Sequence, residues 1–89
     1  MQSISDLGAD VDSRYIVIAC NARSFATLRI ANERKSISAW LQNVPRGSRL
    51  GMESTGSYHE LLAELATKAG LQVFVINPRA LRRYAQSLG

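Results

Sequence analysis

Apolar residues come in short runs over the first third of the chain and at helical spacing beyond it. Ile4 to Val11 predicts a short, weak strand. Tyr15 to Asn21 (YIVIACN) and Phe25 to Ala31 (FATLRIA) predict stronger ones, because β-branched and aromatic side chains fit a pleated surface. Only short connections separate the three, so they form a β-meander. After Asn32 the apolar positions become Ile37, Trp40, Leu41 and Val44. That i, i+3, i+4, i+7 series predicts a helix with one buried face, ended by Pro45 and Gly47. Arg49 to Glu53 (RLGME) predicts a short strand, followed by a turn at Ser54, Thr55 and Gly56.

The best-marked helix comes next. Ser57 and Glu60 have the spacing of a capping box, in which hydroxyl and carboxylate satisfy backbone donors at a helix start. Tyr58, Leu61, Leu62, Leu65, Ala66 and Ala69 form its buried stripe, Glu64 and Lys68 an i, i+4 pair outside it, and Gly70 the stop. Gln72 to Ile76 (QVFVI) is too short for a helix and rich in β-branched residues, which predicts a buried strand. Asn77 then caps a last helix with Pro78 at its first position, and Leu81, Tyr84, Ala85 and Leu88 give it a buried face.

The predicted order is strand, strand, strand, helix, strand, helix, strand, helix. Right-handed crossovers set the later strands parallel to the first, on its far side from the meander. The result is an α/β domain over residues 1–89, a five-stranded mixed sheet of RNase H-like topology, with the first strand beside the fourth at its centre and helices on its faces. A flavodoxin-like or Rossmann-like sheet needs helices between its first strands, and the residues before Ala31 have no room for them.

Composition supports a folded, soluble chain. At 89 residues, 46% hydrophobic and 20% charged, it is a single small domain or a piece of one, without repeat, linker or low-complexity tract. No apolar run nears the roughly 18 residues of a membrane span, and Asp6, Asp10 and Asp12 occupy the stretch where a signal peptide would be basic and apolar. A lone Cys20 inside an apolar run suits a reduced, structural thiol. Eleven basic residues against seven acidic give +4, and nine of the eleven are arginine, whose planar donors suit phosphate; a GC-rich genome enriches arginine equally well.

With the first and fourth strands adjacent, Asp10 and Glu53 lie near their carboxyl ends, close enough to share a Mg²⁺ or Mn²⁺ ion. Such hard cations take oxygen ligands, and a pair of them stabilises both attacking and leaving oxygens in phosphodiester chemistry. Acidic residues at strand ends are common in small α/β proteins, so spacing alone makes this a candidate and no more. Asp12 fits a solvated turn residue better than a third ligand. Arg79, Arg82 and Arg83 lie opposite the apolar stripe of the last helix, on a face that contacts phosphate or simply meets solvent. Thr55-Gly56 suits either a tight turn or backbone donors to phosphate. Trp40 and Tyr58 fall on stripe positions and are expected in the core, whereas His59, without a Cys or His partner at ligand spacing, is expected exposed.

Three segments carry a family resemblance. Gly8-Ala9-Asp10-Val11 resembles the opening G-x-D-V motif of the DEDD transposases of the insertion-sequence 110 group. Met52-Glu53-Ser54-Thr55-Gly56-Ser57-Tyr58 resembles their M-E-[AS]-T-G-x-Y motif, and Asn77-Pro78 with the Arg-rich stretch to Leu88-Gly89 resembles the N-P segment that follows. The resemblance spans essentially the whole chain. It implies an amino-terminal domain similar to RuvC-type Holliday-junction resolvases, with the first two acidic residues of a metal-binding tetrad at Asp10 and Glu53. The second acidic pair belongs to a K-T-D-x-x-D-A-like motif expected after Leu88-Gly89, and the family's nucleophilic serine to a further domain. The resemblance also implies DNA and an element-encoded guide RNA as partners, Mg²⁺ or Mn²⁺ in the complete enzyme, a bacterial cytoplasmic location, and no transposition by these 89 residues alone. Two other readings stand beside it: a non-catalytic remnant with a binding or homo-oligomerisation role, and an actin-like nucleotide-binding fold, which also opens with G-x-D but needs a phosphate loop and a second lobe.

Overall fold

The computed structural model describes residues 5–20, 27–54 and 56–76. The elements are β1 (Asp6–Val11), β2 (Tyr15–Cys20), β3 (Thr27–Ala31), α1 (Arg34–Leu41), β4 (Arg49–Ser54), α2 (Glu60–Lys68) and β5 (Gln72–Ile76). They form one five-stranded sheet in the order β3-β2-β1-β4-β5. The meander β1-β2-β3 is antiparallel, and β4 and β5 join β1 in parallel through the helical crossovers. This is the mixed sheet of an RNase H-like α/β fold, with β1 central as the element order predicts. The helix predicted from Asn77 to Leu88, the predicted strand ends at Ile4, Asn21 and Phe25, and Thr55 lie outside the described residues.

Alternation along the strands decides where the core sits. Ala9 and Val11 on β1, Ile16 and Ile18 on β2, and Leu50 and Met52 on β4 all project to one face, and all are buried. On that face Ile37 and Leu41 of α1 meet Leu62 and Ala66 of α2 in the same cluster. The sequence predicts helices on the sheet's faces, the third of them outside the described residues. Among the described residues they share one, because α1 and α2 each turn a single apolar stripe onto the same six strand residues. The opposite face bears Gly8, Asp10, Val17, Ala19, Glu53, Phe74 and Ile76, all exposed.

Local chemistry sets the joints. The β1–β2 turn is closed by the amide of Asp12 donating to the Tyr15 carbonyl (2.9 Å) and by the Asp12 carboxylate accepting from the Ser13 amide (2.7 Å). Helix α1 ends at Leu41, one turn earlier than the apolar series suggests; Val44 sits in the following turn and still packs on the core. The capping box does not form. Glu60 begins α2, and its amide bonds the carbonyl of Ser57 (3.2 Å) in a preceding turn, while His59 at the cap position has helical angles and no side-chain cap. A side-chain cap needs extended backbone at that position, and the turn has already supplied the donor with a carbonyl. Tyr58 therefore lies in the turn, 48% exposed, instead of in the core. His59 is also misplaced by the pattern: it is half-buried, with a buried Nδ1 that has no partner among the described residues. Trp40 is half-buried against the core.

The far end of α2 obeys the pattern. Gly70 takes φ +89°, its amide bonds the Thr67 carbonyl (3.0 Å), and the Leu71 amide reaches back to Ala66 (3.1 Å). These are the paired bonds of a Schellman stop, and the buried Leu71 provides its apolar contact. Glu64 and Lys68 form the expected pair, 3.1 Å apart.

A candidate carboxylate metal centre

The two candidate ligands come together through strand register. Asp10 of β1 is the direct partner of Glu53 of β4 in the parallel ladder. Direct partners point to the same face, and neighbouring strands lie about 4.8 Å apart. Both side chains are exposed on the face that carries no helix among the described residues. The row is flanked by Val17 on β2 and Ile76 on β5. Below it, the next row sets Ala19, Gly8 and Gly51 beside Phe74, and the three small residues leave an open concavity whose lining includes Gly8, Asp10, Val17, Gly51, Glu53 and Ile76. A Cβ added at Gly8 would meet nothing within 4 Å, and one at Gly51 would make only ordinary contact with Ile76 at 3.8 Å. The floor beneath the carboxylates is thus open to an approaching backbone.

Two other contacts hold this register. At the start of the same ladder the Arg49 guanidinium grips the Asp6 carboxylate in a forked pair, with Nη2 to Oδ2 at 2.8 Å. Hydrogen bonding to Asp6, reinforced by its charge, holds Arg49 above its ordinary pKa. Beyond the ladder's other end, the side-chain amide of Asn32 donates to the carbonyls of Asp12 (2.9 Å) and Tyr58 (3.0 Å). Those carbonyls belong to the turns that follow β1 and β4. Asn32 therefore ties together the segments just beyond Asp10 and Glu53, and its backbone amide adds a bond to Arg14 (2.8 Å).

The donor set fits a hard divalent cation in part. Two carboxylates at one register can both reach an ion with ligand distances of about 2.1 Å. No third ligand joins them: among the described residues no group of three His, Cys, Asp or Glu side chains converges. The other acidic residues are placed elsewhere. Asp6 is taken by Arg49, Glu33 accepts from Ser36, Glu64 from Lys68, Glu60 stands at the start of α2, and Asp12 is the exposed turn residue the sequence suggests. Cys20 is a free, half-buried thiol. Arg79, Arg82 and Arg83 lie outside the described residues, so the structure brings them neither toward the carboxylates nor away from them.

Asn32 and Arg29 went unnoticed in the sequence, although each had a signal. Asn32 stands between a strand and a helix, where a short amide side chain commonly bonds nearby backbone. Arg29 interrupts the run FATLRIA at a position that alternation assigns to the face opposite Leu28 and Ile30. Gly56, at φ +77°, supports the tight-turn reading of its segment.

Among the described residues no helix is long and apolar enough to cross a membrane. A comparison with curated proteins finds no match. Compared with known protein families, residues 7–88 match the DEDD transposases of the insertion-sequence 110 group, a family described as transposase. The match opens one residue before Gly8, inside β1, and takes in Asp10, Glu53 and every element from β2 to β5. The chain belongs to that transposase family.

Proposed function

We propose that Asp10 and Glu53 are the first pair of an acidic site through which the transposase acts on the phosphodiester backbone of DNA with a divalent metal. One observation carries this: the two carboxylates are direct register partners on the face of the sheet that carries no helix among the described residues. A bound Mg²⁺ or Mn²⁺ would supply charge neutralisation at the phosphate and stabilise the attacking and leaving oxygens. The chain's own part is to fix two anionic oxygens side by side and to keep the floor at Gly8 and Gly51 clear for the strand. Two carboxylates leave most of an octahedral shell to water. Alone, these 89 residues therefore bind the cation weakly and do not cut DNA. Arg79, Arg82 and Arg83 add nonspecific phosphate contacts, and an element-encoded guide RNA joins DNA as a partner of the complete enzyme.

The test is a Mg²⁺ and Mn²⁺ titration of the chain followed by backbone NMR, with a DNA cleavage assay beside it. Weak shifts centred on β1 and β4, lost in Asp10→Asn and Glu53→Gln, are expected, with no cleavage. A longer protein that adds a K-T-D-x-x-D-A segment should bind the ion more tightly. Cleavage by the 89-residue chain that disappears in Asp10→Asn would overturn the incomplete-site reading.

A second reading, a non-catalytic binding or homo-oligomeric role, is favoured by the exposed Val17, Phe74 and Ile76 around the carboxylates. Sedimentation of the chain as a monomer at high concentration removes the oligomer.

A further inference from the structure

Strand β3 carries a cation into the row that holds the carboxylates. Val17 is the register partner of both Asp10 and Arg29, so Arg29, Val17, Asp10 and Glu53 follow one another across the sheet on one face. Two strand spacings put Arg29 about 10 Å from Asp10, backbone to backbone. Its guanidinium lies over the ring of Tyr15, 4.7 Å from the centre. Tyr15 is its diagonal neighbour on β2, and both side chains are exposed. Neither ion pair found among the described residues involves Arg29.

These features suit an anion. A guanidinium laid on an aromatic ring is held in one orientation, so less freedom is lost when its N–H groups donate to phosphate. The row is also asymmetric. On the β5 side it ends in apolar Ile76, beside Phe74, whereas on the β3 side it ends in this cation. We propose that Arg29, held by Tyr15, grips a phosphate of the DNA strand engaged at Asp10 and Glu53, on the β2–β3 side of that pair. The location rests on reading the pair as the metal site. Arg29 thereby directs the strand across Val17 toward β3 and offsets the repulsion that two carboxylates exert on a polyanion.

The experiment is fluorescence anisotropy of the 89-residue chain with a labelled single-stranded DNA, in chelator, over a series of salt concentrations. Arg29→Ala should weaken binding roughly tenfold at low salt, and should reduce the salt slope by about 0.7, the share of one phosphate contact on a single strand. Arg34→Ala, an exposed arginine on the helical side of the sheet, should change neither as much. Arg29→Lys should keep the slope yet bind less tightly than the parent, because the ammonium is not a planar fork. The assignment is overturned if Arg29→Ala keeps the parent's affinity and slope, if it loses only thermal stability, or if the parent chain does not bind at all. Should the Ala variant not fold, Arg29→Lys decides: affinity equal to the parent's rules out the held guanidinium.

Mg²⁺ titration without DNA separates the two readings. Normal DNA binding by Arg29→Ala, with Mg²⁺ binding abolished in Asp10→Asn, removes only the arginine. Weakened DNA binding in Arg29→Ala, with Mg²⁺ binding indifferent to both carboxylates, removes the metal site and leaves the phosphate contact standing by itself.

Discussion

The side-chain amide of Asn32 donates to the carbonyl oxygen of Tyr58 at 3.0 Å, linking the end of β3 to the turn that follows Glu53. The same nitrogen donates to Asp12 at 2.9 Å, and those two carbonyls fix which end of the amide is nitrogen. The Oδ1 atom is buried without a partner among the described residues. Asn32 thus acts as a clasp between the two strands that carry the candidate ligands.

Asn32→Ala should accordingly destabilise the chain by about 1–3 kcal/mol, the net worth of two hydrogen bonds at about 0.5–1.5 kcal/mol each. Asn32→Asp should be no better, since it aims a carboxylate at two acceptors. Urea unfolding measures the first effect. Amide exchange in the turns at residues 12–14 and 56–59 measures the loosening, which should exceed that in α1. A stability change under about 0.5 kcal/mol, the scatter of ordinary surface substitutions, would remove the clasp.

Much of this arrangement could be read from the residues, and the reasons differ by element. β-Branched runs and the spacing of Ile37, Trp40 and Leu41 marked strands and helix directly, and the handedness of crossovers placed β4 beside β1. Asp10 and Glu53 were reachable because a strand's register follows once its neighbours are known. The start of α2 was not, because Ser57 and Glu60 satisfy a capping pattern that a backbone turn also satisfies. Choosing between them depends on the angles at His59, and no side-chain pattern reports those. The placement of both described helices on one face was hidden for a similar reason. Each stripe says that a helix is covered, and not by which side of the sheet.

Two glycines should respond in opposite directions. Gly70 closes α2 with φ +89°, and an added Cβ would also approach the mobile end of Arg46 at 3.1 Å. Gly70→Ala should cost about 1–2 kcal/mol, chiefly from the left-handed backbone. Gly8 lies in β1 without a positive φ, and an added methyl meets open space. Gly8→Ala should be neutral or stabilise by up to about 1 kcal/mol, by reducing the freedom of the unfolded chain. Thermal unfolding of the two variants side by side checks the contrast, and an equal loss in both would contradict it.

Acidification tests the pair on α2. A hydrogen bond from Lys68, aided by its charge, holds the Glu64 carboxyl below its ordinary pKa. A depressed folded pKa means that the pair's contribution is complete above the unfolded carboxylate pKa and disappears as pH falls through the folded one. Both side chains are well exposed, so salt should screen the effect. Carboxyl NMR should show the Glu64 midpoint rising in Lys68→Ala and in high salt. An unmoved midpoint in that variant means the hydrogen bond is not kept in solution.

The candidate ligands should weaken the fold that displays them. Like charges directly opposite one another on adjacent strands repel, at a cost of a few tenths of a kcal/mol, and Asp10 and Glu53 occupy that relation on an exposed face. In chelator, Asp10→Asn and Glu53→Gln should therefore be at least as stable as the parent chain. Divalent cation should reverse the order, because an ion that binds only the folded chain stabilises it by about 0.4 kcal/mol when its concentration equals the dissociation constant, and by more above it. The parent's melting temperature should then climb with Mg²⁺ or Mn²⁺ while those of the two variants stay level. Monovalent salt at matched ionic strength provides the control, since simple screening relieves the same repulsion without needing both carboxylates to reach one ion. If screening reproduces the whole rise, Asp10 and Glu53 are neighbours that do not share a cation. A rise specific to the divalent ion, absent when either side chain is neutralised, fits only a site that the two strands build together.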